Sequence, residues 1–228
     1  MKLTAYNNIC ISPNKGIKQN WDARCVNVHT WINKQNKIPY VSVSSLSSRA
    51  IRYTLSAKRY ALAVVADFGL IVPKEILNAF PKGILNIHPS LLPKYRGSTP
   101  AQAVIVNGDK KTGVSIIKLD EQVDHGPILF QTEELIKTDD TSQSLYERLF
   151  KLAGSSIVQT IKSYVDGKIE PKVQDDSKAT YTKILTRQDG YIDLSSLKIE
   201  NSKLKIDRMI RAYYPWPGVW FKTKLNGV

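Results

Sequence analysis

The chain has 228 residues, 42% hydrophobic and 23% charged, enough to bury the core of one large domain or of one domain with a small appendage. Lysine and arginine number 33 against 20 acidic residues, a formal charge of +13, and the two cysteines make neither a disulfide framework nor a zinc site. No apolar run approaches the roughly 20 residues of a membrane span and the first residues hold no signal-peptide core, which predicts a soluble, cytoplasmic globular protein.

Short apolar runs alternate with helical patterns, which predicts an α/β fold with a largely parallel sheet. Tyr6–Ile11 reads as a strand ended by Ser12-Pro13-Asn14-Lys15-Gly16. Arg24–His29 leads into a helix or an extended stretch, Ile38–Val43 resembles a strand after a crossover, and Ser47–Lys58 reads as a helix. Tyr60–Ala66 is apolar without alternation, as expected of a parallel strand covered on both faces. Pro73 opens a helix through Phe80, Gly83–His88 is the next strand, and Pro100–Asn107 is a helix closed by Gly108. Gly113–Leu119 and Ile128–Ile136 follow as strands. A long helix spans Thr141 to Asp166, capped by Asp140 or Thr141, with Leu145, Leu149, Leu152, Ile157, Ile161 and Val165 as its apolar stripe and Gly167 as its stop. Residues 168–190 are polar and weakly periodic, like a linker. Ile206, Met209, Ile210 and Tyr213 fall at helical spacing, Pro215-Trp216-Pro217-Gly218 ends that helix, and Val219–Lys224 begins a strand.

The charge is segregated. Residues 1–60 hold ten basic side chains and one acidic, residues 61–150 nine and eleven, and residues 151–228 fourteen and eight. A near-neutral middle between two basic ends suits a polyanionic partner, most simply a nucleic acid, although two solvated lysine-rich surfaces explain the numbers equally well.

The middle carries the chemistry. In a strand, residues two apart face one side, so Asn86 and His88 point together at the carboxyl end of Gly83–His88. Ligands of open parallel sheets bind outside that end. The strand Gly113–Leu119 runs into Asp120-Glu121-Gln122-Val123-Asp124-His125-Gly126-Pro127, and if the two strands are neighbours Asp124 reaches His88. An amide donor, an imidazole and a carboxylate at one edge suit addition to a carbonyl. An ordinary buried histidine and a solvated acidic turn are the plainer explanations of the same residues. Glycine-rich nucleotide loops and the nucleophile elbow are absent from the sequence.

Asn86-x-His88, then Ser90-Leu91-Leu92-Pro93-x-x-x-Gly97, then Asp124-x-Gly126 resembles the 10-formyltetrahydrofolate-dependent formyltransferases in order, spacing and flanks. The second half resembles the methionyl-tRNA branch of that family: Asp139-Asp140-Thr141, Pro171-Lys172-Val173-Gln174-Asp175, Ala179–Ile184, Asp189-Gly190-x-Ile192-Asp193 and Ile210–Gly218. The resemblance covers residues 60–228 well and residues 1–59 weakly. It implies a Rossmann-like sheet with a catalytic domain over residues 1–170, a linker over 171–190 and part of an OB-like domain over 191–228. It also implies that the family's first βα unit is missing and that the C-terminal barrel is incomplete.

By the same resemblance the cosubstrate is 10-formyltetrahydrofolate, with no metal, and the acceptor is initiator methionyl-tRNA. Asn86, His88 and Asp124 are then catalytic. Phe68, Gly69, Leu70, Ile71 and Val72 rest against the folate ring, and Ser90, Leu91, Leu92 and Pro93 complete that pocket. His125 is unusual between the family's Asp and Gly. Amino-sugar-nucleotide formylation and a folate- or RNA-binding remnant without turnover are the alternatives. The segregated charge speaks against the first, since a small substrate needs no basic ends, and the complete Asn86, His88 and Asp124 set speaks against the second.

Overall fold

Two separate sheets organise the chain, and their pairing directions differ. The computed structural model describes residues 10–13, 40–43, 60–68, 71–193 and 199–222. Strands β1 (Cys10–Pro13) and β2 (Tyr40–Val43) pair in parallel. The larger sheet has the order β3 (Ala63–Ala66), β4 (Ile84–His88), β5 (Lys111–Lys118), β6 (Ile128–Leu135). The expected elements at Arg24–His29 and Ser47–Lys58 lie outside the described residues.

The α/β class stands, but the larger sheet is mixed. β3 and β4 are parallel, whereas β4–β5 and β5–β6 are antiparallel. A largely parallel sheet was expected because short apolar runs alternate with helical patterns, and that signal reports which elements cover the sheet rather than the direction of each strand. Every residue of β5 from Thr112 to Ile117 is indeed buried.

The helices follow the chemistry of their ends. α1 (Lys74–Leu77) begins after Pro73, whose extended backbone starts the turn. α2 (Pro100–Asn107) carries proline at its first turn and stops at Gly108, which takes φ +73°. α3 (Ser142–Val165) is opened by a reciprocal capping pair: Thr141 accepts from the Ser144 N–H, and Ser144 accepts from the Thr141 N–H. α4 (Ile199–Ala212) ends ahead of the Pro215–Gly218 turn.

Asp140 anchors the entry to α3. Burial pushes its carboxyl up, but hydrogen bonds from Arg148, the Lys137 N–H and Ser144 outweigh that and bring it down to about 2. The Arg148 guanidinium meets it with two bonds, at 2.8 and 2.6 Å. Arg211 of α4 donates to the Asp140 carbonyl at 2.9 Å, and Ser142 donates to the Tyr214 carbonyl at 2.7 Å. Asp140 and Ser142, at the entry to α3, thus join that helix to α4 and the turn after it.

The main core lies where α2, α3 and α4 meet the sheet. Ile87, Val104, Ile105, Val114, Leu145, Leu149, Ala153 and Ala212 are buried together. Farther along α3, Ile157, Ile161 and Tyr164 pack on Leu85, Ile116 and Leu129. The α3 stripe differs from expectation at its end. Ala153 lies in it while Val165 is exposed, because each step of four residues overshoots a turn of about 3.6 residues by about 40°, and five such steps from Leu145 carry Val165 off the buried face. Leu149→Ala is expected to cost about 2–5 kcal/mol, since it removes a buried side chain between two helices and the sheet. Urea unfolding measures this, and a loss below about 1 kcal/mol would place the core elsewhere.

Candidate active site

β4 delivers two of the three predicted polar residues as expected. Asn86 and His88 share the face that carries Ile117 and Ser115 on the paired strand β5. Asp124 arrives by a less direct route. Because β5 is antiparallel to β4, its carboxyl end lies beside Leu85, not beside His88. The loop of residues 119–127 therefore folds back before β6 begins. Gly126 crosses the Lys118 carbonyl so closely that a side chain there would collide with it. The turn is closed by the Lys118 N–H donating to Pro127 O at 3.0 Å.

The three side chains converge. Asn86 Nδ2 donates to Asp124 Oδ1 at 3.1 Å, and His88 Nδ1 stands 3.4 Å from Asp124 Oδ2. The same Oδ2 accepts the Gly97 N–H at 2.8 Å. His88 Nε2 faces the Tyr95 carbonyl at 2.9 Å, and His88 is only 4% exposed. Both ring nitrogens therefore face oxygen acceptors. The ring is held between the Tyr95 carbonyl on one side and the Asp124 carboxylate on the other.

Only one of the loop's clustered carboxylates reaches this centre. Glu121 pairs with Lys74 at 2.6 Å and Asp120 with His125 at 2.6 Å, both nearer the surface. Asp124 holds a left-handed backbone, φ +48°, a conformation uncommon for L-residues and least costly among them for aspartate and asparagine. Tyr95, whose carbonyl faces His88, is also left-handed, φ +63°. Its hydroxyl is fixed by donation to Asp109 at 2.7 Å and by acceptance from Asn107 at 3.0 Å, at the end of α2.

The segments expected to contact folate divide. Phe68 and Val72 are half-buried against Ile76, Phe80 and Ile84, while Ile71 is 83% exposed. Gly69 and Leu70 lie outside the described residues. The turn at Ser90–Pro93 is pinned to the sheet. Ser115 Oγ donates to Ser90 O at 2.6 Å and accepts the Leu92 N–H at 3.1 Å, and Gln131 Nε2 donates to Leu92 O at 2.9 Å. Ser90 spends its own hydroxyl on Lys94 O at 2.7 Å. These residues give shape to the loop, and their side-chain polar groups are turned inward.

The stretch read as a linker lies along the site. Arg96 and Tyr181 form a parallel bridge, with Arg96 N donating to Thr180 O at 2.8 Å and Thr182 N to Arg96 O at 2.7 Å. Gly97, at φ +102°, has the Thr182 backbone against it where a side chain would stand. Residues 171–182 lack periodicity because they run as irregular chain interrupted by a single 3₁₀ turn at Asp176–Lys178, and such docking leaves no repeat in the sequence. Arg96 is 1% exposed, the largest fully buried side chain among the described residues. It donates to Gln174 Oε1 at 3.1 and 2.9 Å, to Asp176 at 2.7 Å and to the Tyr181 hydroxyl at 3.0 Å. Burial works against its charge, but the bonds to Asp176 and Tyr181 outweigh that and hold it above the usual arginine value. Sequence reasoning gave no role to Arg96, Gln174 or Tyr95; the signals available were the place of Tyr95 and Arg96 in a loop full of prolines and glycine, and the place of Gln174 in the family-like stretch Pro171–Asp175.

His125 clasps the loop to this stretch, with Nδ1 at 2.6 Å from Asp120 and Nε2 at 3.3 Å from Asp176. The hydrogen bond to Asp120 raises its pKa above the ordinary 6.5. Arg96, followed by His125, lowers that of Asp176.

A profile of the formyl transferase family matches residues 14–161. The chain belongs to that family. A methionyl-tRNA formyltransferase from Roseiflexus sp. (strain RS-1) is 41% identical over 181 residues, 79% of this chain and 54% of the relative. One from Marinobacter nauticus is 38% identical over 183 residues, 80% of this chain and 57% of the relative. The chain thus spans about half the length of the curated relatives it matches. Among solved structures, a sugar N-formyltransferase from Shewanella sp. superposes with TM-score 0.71 at 22% identity, covering 93% of this chain and 91% of that one. A methionyl-tRNA formyltransferase from Clostridium thermocellum gives TM-score 0.65 at 21% identity, covering 94% and 87%. Both show the formyl transferase fold. No helix among the described residues is long and apolar enough to cross a membrane.

The raised His125 makes a pH prediction for this chain. A raised pKa means that its stabilisation is complete below about pH 6.5 and is lost as pH rises through the raised value. The stability gap between the wild type and His125→Gln, followed by urea unfolding from about pH 6 to about pH 9, should shrink as pH rises. A pH-independent gap would exclude the clasp.

Proposed function

We propose that this chain transfers a formyl group from 10-formyltetrahydrofolate to the free amine of methionyl-tRNA, with initiator tRNA as acceptor and the cytoplasm as its place of action. The observation that carries the reading is the convergence of Asn86, His88 and Asp124 at the end of β4, in a chain about 40% identical to methionyl-tRNA formyltransferases. The folate is a substrate that supplies the formyl group.

The residues can perform the transfer. When the amine attacks, the formyl carbon becomes tetrahedral and its oxygen gathers negative charge. Asn86 carries a second N–H beyond the one given to Asp124, and this donor meets that oxygen. His88 supplies the other donor by exchanging its long 3.4 Å contact with Asp124 for the oxygen. The attacking nitrogen loses a proton and the departing folate nitrogen gains one. Asp124, paired with His88, is the group placed to carry it, directly or through one water. The turn at Ser90–Pro93 and the segment Phe68–Val72 are the walls proposed for the folate ring, offering backbone groups and apolar side chains.

Two measurements test the assignment. His88→Ala and Asp124→Asn should each lower formyl transfer by at least about 10²-fold, the usual effect of losing one such donor, while folate binding by equilibrium dialysis largely survives. Near-normal turnover in either variant sinks it. Offering 10-formyltetrahydrofolate with methionyl-tRNA or with amino-sugar nucleotides separates the readings by acceptor, and transfer to neither with folate still bound marks a remnant. Affinity for methionyl-tRNA should fall steeply between about 50 and about 200 mM salt, because lysine–phosphate contacts release counterions. A flat salt response would leave the excess charge of +13 without its proposed partner.

A further inference from the structure

Gln174 touches no predicted catalytic side chain, yet it meets the backbone of one. It is 7% exposed. Its Nε2 donates to Asp124 O at 2.9 Å and to Gly126 O at 2.7 Å. Its Oε1 accepts both Arg96 bonds, at 3.1 and 2.9 Å. A guanidinium has only donors, so Arg96 can face only the amide oxygen, and the amide nitrogen is thereby turned toward the two carbonyls. The chemistry of the neighbours sets this orientation.

Arg96 also occupies a particular place in the chain. The residue before it, Tyr95, offers its carbonyl to His88, and the residue after it, Gly97, offers its N–H to Asp124. A closed ring of bonds results. It runs from the Asp124 carboxylate to Gly97 N, along the chain to Arg96, out through the guanidinium to Gln174, and back to the Asp124 carbonyl. The ring grips Asp124 at both its carboxylate and its carbonyl, where the backbone takes the less populated left-handed conformation, φ +48°.

We propose that Gln174 is a positioning residue for the transfer reaction: with Arg96 behind it, it holds the Asp124 backbone so that the carboxylate stays over Asn86 and His88. The inference rests on the formyl-transfer reading above. It assigns residues 171–182 a part in catalysis that they perform through Asp124, without contact with the reacting atoms.

Gln174→Glu separates the two halves of the amide. The carboxylate still accepts from Arg96, so the stretch stays anchored, but nothing is left to donate to Asp124 and Gly126. The expected result is a melting temperature within a few degrees of wild type, a kcat lowered about tenfold to a hundredfold, and a KM for 10-formyltetrahydrofolate changed less than about threefold, as for a misplacement near 1 Å. A second readout is independent of turnover. In ¹⁵N-histidine spectra the His88 ring signal should move in Gln174→Glu, because Asp124 no longer holds its place. An unchanged kcat, or an unmoved His88 signal, overturns the proposal. If the glutamate variant does not fold, Gln174→Met, which removes the Arg96 acceptor as well, is read as kcat per folded molecule, and a kcat lost only in step with folded protein overturns the proposal. A wild type that transfers no formyl group while His88 still responds to Gln174→Glu refutes the formyl-transfer reading and leaves the positioning role standing.

Discussion

A guanidinium taken out of water must be surrounded by acceptors, and much of this site follows from meeting that demand at Arg96. At 1% exposure its charge is supportable only because Gln174, Asp176 and the Tyr181 hydroxyl together receive it. Removing one partner of such a buried charge generally costs about 3–5 kcal/mol, whereas the assembled group adds little net stability over an apolar replacement. Its value is geometric. The stretch 171–182 turns Val173 and Tyr181 outward instead of packing them, so a fan of directional bonds sets its spacing from the loop after β4. That spacing fixes the Tyr95 carbonyl, the Gly97 N–H and the Thr182 backbone at once.

The sheet adds a second constraint. An antiparallel β5 places its outgoing end at the wrong end of β4 for building a site. The loop 119–127 solves this by turning back over the Lys118 carbonyl, where only glycine fits at position 126. The return leaves Asp124 in an unfavoured backbone conformation, and four groups share the work of keeping it there: Asn86, His88, Gly97 and Gln174. Strain and function coincide at this residue because the same bonds that offset the backbone cost also aim the carboxylate.

Local rules were legible in the sequence. The ends of α2 and α3, the strands β4, β5 and β6, and the meeting of Asn86 with His88 all follow from periodicity, caps and the two-residue repeat of a strand. Direction was not legible: β5 is buried on both faces, and burial is the same for a parallel and an antiparallel strand. The docking of residues 171–182 was invisible for a different reason. It depends on Arg96, Thr180 and Gln174 meeting across a long sequence separation, through polar atoms that leave no hydrophobic pattern. The motif stretches Pro171–Asp175 and Ala179–Ile184 did mark it, but as a resemblance, without the reason those residue types stand there.

The separation of Arg96 from Gln174 also sets an order in time. The sheet residues, the loop after β4 and Asp124 are all made before position 174 leaves the ribosome, and α3 lies between them and the closing amide. A nascent chain ending at β6 therefore contains Asn86, His88 and Asp124 but nothing to receive the Arg96 charge or to grip the Asp124 carbonyl. Domains tend to fold from the amino end as they emerge. Here the core can form first, while the site waits for a polar segment some fifty residues downstream of Asp124 to lie down across it.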